Sequence, residues 1–288
     1  MSTLISVNNL SLDIHGKKLL KNISFEVERG DVFAILGSNG AGKSLLLDCL
    51  IGNIDSSYDK NTLCENAFDK NKCGILYDSF ASIPLLKVKE IFSWLSVLFG
   101  KEIDFKLIEQ LEIRNILAKQ FKVLSKGENK KAGIYAALFH NPELVILDEP
   151  TDGLDPIVRN KFWDILCETG NTIIFTTHIW NEVENIATKV LFLHQGAVLN
   201  IPMSPVNLIN NYLPYKGKIV VFKADRDHLP LCKDNYYEDE QMCCLYYKNE
   251  VEKEEYLKEI KKKVVNYSVL SPELKDVYRF LINQDKSI

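Results

Sequence analysis

An α/β fold built on a largely parallel sheet is predicted by three observations. Short, unbroken apolar runs recur at Val32–Leu36, 144–147, Thr172–Thr177 and 190–193, as strands buried on both faces require. Helical periodicity alternates with these runs, the pattern of parallel strands joined by helices. The first run leads into Gly37-Ser38-Asn39-Gly40-Ala41-Gly42-Lys43-Ser44 and then into the apolar stretch from Leu45 to Ile51, which reads as strand, glycine-rich turn and helix start.

That turn is the stretch the chain is organised around. Its glycines let the backbone curl so that N–H groups point inward, and the following helix adds the partial positive charge of its N-terminus. The product is a phosphate cradle. Lys43 would reach the outer phosphates as a point charge, and the Ser44 hydroxyl would ligate a bridging Mg²⁺.

In chain order, residues 4 to 27 read as an antiparallel lead-in, with Ile23, Phe25 and Val27 alternating against polar neighbours and His15 at its tip. Residues 53 to 73 are polar and without period. From Ile83 to about Gln120 the pattern is helical, with Val88, Ile91, Phe92, Leu95, Leu98 and Phe99 at three and four residue spacings. Ser125-Lys126-Gly127-Glu128 fits a capping box opening a further helix, whose Ile134, Ala137 and Leu138 face inward and which gives out at Asn141-Pro142. The strand at 144–147 ends in Asp148-Glu149-Pro150, which places two acids at the carboxyl edge where ligands bind in such sheets. Asp155-Pro156 caps another helix closing near Gly170, and the next strand ends at His178.

Composition shifts at Pro214-Tyr215-Lys216-Gly217, which predicts a first domain over 1–213, with a helical subdomain at about 80–140, and a small α+β domain over 214–288. In the latter, Lys218 to Lys223, Cys243 to Tyr247 and Val264 to Leu270 read as strands. Glu250 to Lys263 reads as a charged helix, followed by a last helix after Ser271-Pro272.

At 46% hydrophobic, 26% charged and a net charge of -4 over 288 residues, the composition is that of a globular protein with no general affinity for nucleic acid. No run of about 18 apolar residues occurs and the start lacks a secretory pattern, so a cytoplasmic location is expected, with any work across a membrane passing through a separate embedded partner. The seven cysteines form no C-x-x-C pair and read as reduced thiols, including adjacent Cys243-Cys244.

The ordered set of the phosphate loop, Leu124-Ser125-Lys126-Gly127-Glu128, the strand with Asp148-Glu149, Gly153-Leu154-Asp155 and the strand with His178 resembles the ATP-binding subunit of ATP-binding cassette (ABC) transporters. The resemblance covers about residues 4 to 200. It implies a P-loop NTPase fold of ABC ATPase type that binds ATP and Mg²⁺ and hydrolyses ATP. Asp148 would hold Mg²⁺ through water, Glu149 would act as general base and His178 as the switch histidine at the γ-phosphate. Ser125, Gly127 and Glu128 would face ATP bound to a second nucleotide-binding subunit, identical or a paralogue, and Gly153, Leu154 and Asp155 would cross that interface. Glycine at 127 costs roughly 1 kcal/mol in a helix relative to alanine, which close approach of a phosphate would explain. Integral membrane permease subunits are the other implied partners, placing the chain at the inner face of the cell membrane.

Three departures stand out. His15 occupies the position of the usual adenine-stacking aromatic and offers less area. Asp78 stands where the family has glutamine, and no glutamine occurs between 53 and 109. Two like charges about 4 Å apart repel by up to about 4 kcal/mol at an effective dielectric near 20, so Asp78 either ligates Mg²⁺ or points away from the γ-phosphate. Lys126 replaces a glycine. The tail from Val269 to Tyr278 is similar to the end of ATPase subunits from drug, bacteriocin and polysaccharide exporters, which favours export over import. The alternatives are a soluble ABC-type ATPase acting on nucleic acid or the ribosome, and a weakly hydrolysing regulatory subunit.

Overall fold

The computed structural model describes residues 2–54, 72–77, 80, 83–222, 236–238, 241–262, 264 and 266–285. They form two compact units, Met1–Ser204 and Pro205–Ile288.

The first unit opens with β1 (Thr3–Ile14) and β2 (Lys17–Glu28), an antiparallel pair joined at His15-Gly16, both of which have positive φ as a tight hairpin turn needs. The second sheet contains β3 (Val32–Leu36), β4 (Cys73–Leu76), β5 (Leu144–Asp148), β6 (Thr172–Thr177), β7 (Lys189–His194) and β8 (Ala197–Val198) in the order β4-β5-β6-β3-β7-β8. All neighbours are parallel except β7 and β8, and β5 and β6 are buried along their whole length, which explains their uninterrupted apolar composition. Helix α1 (Lys43–Ile51) follows β3 directly. Leu46, Leu47 and Leu50 join Phe33 and Ile35 in one core with Ile5, Val7, Ile23, Phe25 and Val27 of the lead-in pair, so the alternation read in β2 is the face that covers this core.

The helical segment is more broken than its periodicity predicts. It divides into α2 (Val88–Phe99) and α3 (Phe105–Gln110), with single 3-10 turns at Arg114–Ile116 and Phe121–Val123. Gly100, at φ 61, ends α2, and Asp104 caps α3 by accepting from the Leu107 amide. Val88, Ile91 and Phe92 are buried, whereas Leu98 is 75% exposed. Helix α4 (Lys126–Leu138) begins with the capping box at Ser125 and Glu128, and Ile134, Ala137 and Leu138 are buried. Gly133 and Gly74 let α4 lie close to β4, where an added Cβ would meet Leu76 Cδ1 and the Ala137 carbonyl respectively. Helix α5 (Pro156–Glu168) is capped by Asp155, and α6 (Trp180–Ile186) follows β6.

The second unit begins at Pro205, nine residues before the composition shift at Pro214, because α7 (Pro205–Tyr212) packs with the terminal helix α9 (Leu274–Asp285). Its sheet runs β10 (Tyr236–Glu238), β11 (Met242–Tyr247), β9 (Gly217–Phe222), β12 (Tyr267–Leu270), all antiparallel, with α8 (Glu250–Ile260) between β11 and β12. Strand β10 is too short to carry a sequence pattern. Cys243 and Cys244 point to opposite faces of β11 and are both buried, Cys243 with Ile219 and Leu257, Cys244 with Val220 and Tyr246. They fill core.

A polar knot lies inside this unit. Buried Lys218 donates to Asp276 Oδ2 at 2.8 Å and Glu273 Oε2 at 3.0 Å, and the Tyr246 hydroxyl donates to Asp276 Oδ1 at 2.7 Å. Burial, reinforced by the Asp276 charge, pushes the Tyr246 pKa up; burial opposes the charge on Lys218, yet Asp276 and Glu273 hold its pKa above the ordinary value. Both groups keep their proton in the folded state after the unfolded chain releases it, so their contribution is present below about pH 10 and lost as pH rises beyond it. The stability gap between wild type and Tyr246→Phe should therefore narrow above about pH 10 in denaturant titrations; a constant gap would contradict the coupling.

Candidate functional site

The loop between β3 and α1 has the form its sequence predicts. Gly40 and Gly42 sit at φ 78 and 105, and no side chain caps α1, so its first-turn amides are not taken up by a capping residue. A Cβ at Gly37 would lie 2.3 Å from the Leu193 carbonyl, so glycine there lets β7 approach the loop. A Cβ at Gly42 would lie 2.9 Å from Leu20 Cδ2, which places β2 against the same loop. His15 is exposed at the tip of the β1–β2 hairpin with φ 53. Asp78 lies outside the described residues.

Lys43 is a buried cation of the site. Its Nζ donates to the Gly37 carbonyl at 3.0 Å and stands 3.3 Å from Glu149 Oε1. The other carboxylate oxygen, Glu149 Oε2, lies 2.8 Å from His178 Nδ1. One carboxylate thus links the phosphate loop, the end of β5 and the end of β6. Asp148 is buried beside it and accepts from the Thr176 hydroxyl. The same hydroxyl accepts from the Glu149 amide at 3.0 Å, so a single β6 side chain orients both acids. Thr176 is hidden in the sequence because it reads as part of an apolar strand.

Among the described residues no group of three or more His, Cys, Asp or Glu could hold a metal ion by itself. A hydroxyl at Ser44 and one carboxylate at Asp148 instead fit Mg²⁺, which keeps waters and phosphate oxygens in its shell.

Ser125, Gly127, Glu128, Gly153, Leu154 and Asp155 line one cleft of about 210 Å³. Ser125 Oγ accepts from the Glu128 amide at 3.2 Å, while Glu128 accepts from the Ser125 amide at 2.9 Å and from Lys119 Nζ at 2.7 Å. The Lys119 contact holds the Glu128 carboxyl below the usual range. Lys126 pairs with Asp152 at 2.6 Å and lowers its pKa in the same way. Asp155 Oδ1 accepts from the amides of Ile157 and Val158. A Cβ at Gly127 would meet only Leu154 Cδ2 at 3.6 Å and the Gly153 carbonyl at 3.9 Å, both ordinary contacts. Nothing described within the chain demands glycine there. Glu182 of α6 accepts from Thr151 at 2.9 Å and pairs with Arg159 at 3.0 Å, with burial as the main cause of its raised pKa.

A parallel sheet with a phosphate loop after β3, a histidine at the end of the adjacent strand β6 and paired acids at the end of β5 defines the class of phosphate-loop ATPases. The ABC transporter family model matches residues 20–152. An uncharacterised ABC transporter ATP-binding protein of Methanocaldococcus jannaschii is 32% identical over 77% of this chain and 92% of its own length. The bacitracin transport ATP-binding protein of Bacillus licheniformis is 32% identical over 75% of this chain and 76% of its own. Among solved structures, an ATP-binding subunit of an ABC transporter superposes with a TM-score of 0.64 at 23% identity, covering 73% of this chain and 93% of that one. A second, cbiO1 of Clostridium perfringens, is described as part of the ABC transporter complex cbiONQ and gives 0.59 at 25% identity over 73% of this chain and 92% of its own. The chain belongs to the ABC transporter ATP-binding family and is an ATPase. No helix among the described residues is long and apolar enough to cross a membrane.

Proposed function

We propose that this chain hydrolyses ATP to drive export through separate membrane-spanning permease subunits, working as one of a pair of nucleotide-binding subunits. The observation that carries the hydrolytic reading is the Glu149 carboxylate held between Lys43 Nζ and His178 Nδ1. In this reading the loop from Gly37 to Ser44 binds the phosphates, and Lys43 exchanges its contacts within the loop for the outer phosphates. Ser44 and, through water, Asp148 would hold Mg²⁺, which would offset charge on the phosphate oxygens. Glu149 takes a proton from a water whose oxygen bonds to the γ-phosphorus as the bond to the bridging oxygen of ADP breaks, and His178 steadies that water. Gly127 and Ser125 meet the nucleotide of the opposite subunit, which accounts for a glycine that no contact described within the chain requires.

Export is favoured by relatives whose names place them in bacitracin transport and lantibiotic transport, the latter from Streptococcus pyogenes and 27% identical over 68% of this chain. For the permease, α2 presents Trp94, Val97 and Leu98 at 57%, 84% and 75% exposure on successive turns, an apolar row suited to docking a partner helix. Purified from its native cells in mild detergent, the full chain should bring down a stoichiometric polytopic membrane protein. Trp94→Glu combined with Leu98→Glu should lose it while ATP binding is unchanged. Recovery of wild type with only ribosomes, DNA or itself would overturn the transport reading and leave the ATPase standing.

A further inference from the structure

We propose that Lys130 is a positioning residue for Glu149, an inference that rests on reading Glu149 as the general base. Lys130 belongs to α4 and is 1% exposed, an expensive place for an ammonium group unless its donors are used. One of them is used at the site: Nζ donates to the Glu149 carbonyl at 2.9 Å. Glu149 itself has φ 45, in the left-handed region where a side chain other than glycine is strained by on the order of 1–3 kcal/mol. Such a conformation persists only when the surroundings over-determine it.

Here two fixed groups hold it from either side. The Thr176 hydroxyl takes the Glu149 amide at 3.0 Å, and Lys130 gives to the Glu149 carbonyl. With both ends of the residue held, the strained turn aims Oε1 at Lys43 and Oε2 at His178. If the lysine donor is removed, the carbonyl loses a charged partner and the backbone is free to relax toward negative φ, which swings the carboxylate away from the attacking water. In this reading Lys130 needs no contact with phosphate or with the attacking water. It acts through the Glu149 backbone.

The test uses the full chain and compares Lys130→Met, Lys130→Arg, Glu149→Gln and the double variant Lys130→Met with Glu149→Gln. Lys130→Met should lower kcat by about a hundredfold, the cost of misplacing a reacting group by ~1 Å, with KM for ATP changed by less than about twofold. Lys130→Arg, which keeps a charged donor, should recover most of the loss. In the Glu149→Gln background the Met substitution should change the residual rate by less than about twofold, because a group that acts through Glu149 has nothing left to position. Wild-type kcat in Lys130→Met would overturn the inference. So would a loss of equal size in the Glu149→Gln background, or a loss that tracks a lowered melting temperature and is not recovered by arginine. Full activity in Glu149→Gln would instead sink the general-base reading itself, and the two failures are read from different variants.

Discussion

Glu149→Gln should retain ATP binding and lose phosphate release by about a hundred to ten thousand fold, the usual contribution of a positioned general base. Glutamine preserves the shape of the side chain but cannot take a proton from water. The loop contact of Lys43 to Gly37 does not depend on the carboxylate, so the phosphate cradle stays intact in the variant. Single-turnover phosphate release together with equilibrium binding of a fluorescent ATP analogue separates the two effects. Unchanged turnover would remove Glu149 from the chemistry and leave His178 and Asp148 to be tested in its place.

The second large effect is on binding. Lys43→Ala removes a buried ammonium that already sits inside the loop and that contacts two of the groups defining the site. Hydrogen bonds to charged groups are worth about 1.5–3 kcal/mol each, so the dissociation constant for ATP should rise by roughly ten to a hundred fold or more. The variant also leaves Glu149 Oε1 without its cation. Equilibrium dialysis with ATP, alongside circular dichroism to confirm folding, measures this; an unchanged constant would mean the phosphates lie elsewhere.

The parts of the site that lie in contiguous motifs are legible in the sequence. The loop from Gly37 to Ser44, the Asp148-Glu149 pair, the Ser125–Glu128 capping box and the Asp155-Pro156 helix start are each local, and their physics is local too. The contacts between motifs are not. Thr176 binds Asp148 and the Glu149 amide from 28 and 27 residues away, and nothing in a β-branched strand residue announces that task. Lys130 does carry a signal. It stands four residues before Ile134 and seven before Ala137, on the face those residues bury, and a lysine on an inward face needs a buried acceptor.

In the fold, the lead-in hairpin and the parallel strands are readable because alternation and unbroken apolar runs report one-sided and two-sided burial. The helical segment misleads. Periodicity groups Leu98 with Val88, Ile91 and Phe92, but α2 packs through to its last residue, where Phe99 stacks on His140, and it turns Trp94, Val97 and Leu98 on another face to solvent. An apolar stripe specifies what must be covered, not that the same chain covers it.

Where the phosphates go decides most directly whether this site works as described. A crystal structure of Glu149→Gln with ATP and Mg²⁺ should place the outer phosphates within hydrogen-bond reach of Lys43 Nζ and the amides from Gly40 to Ser44. The metal should sit on Ser44 Oγ, with the γ-phosphate facing His178 and the substituted side chain at position 149. Nucleotide bound away from Lys43, or a γ-phosphate turned away from position 149, would contradict it.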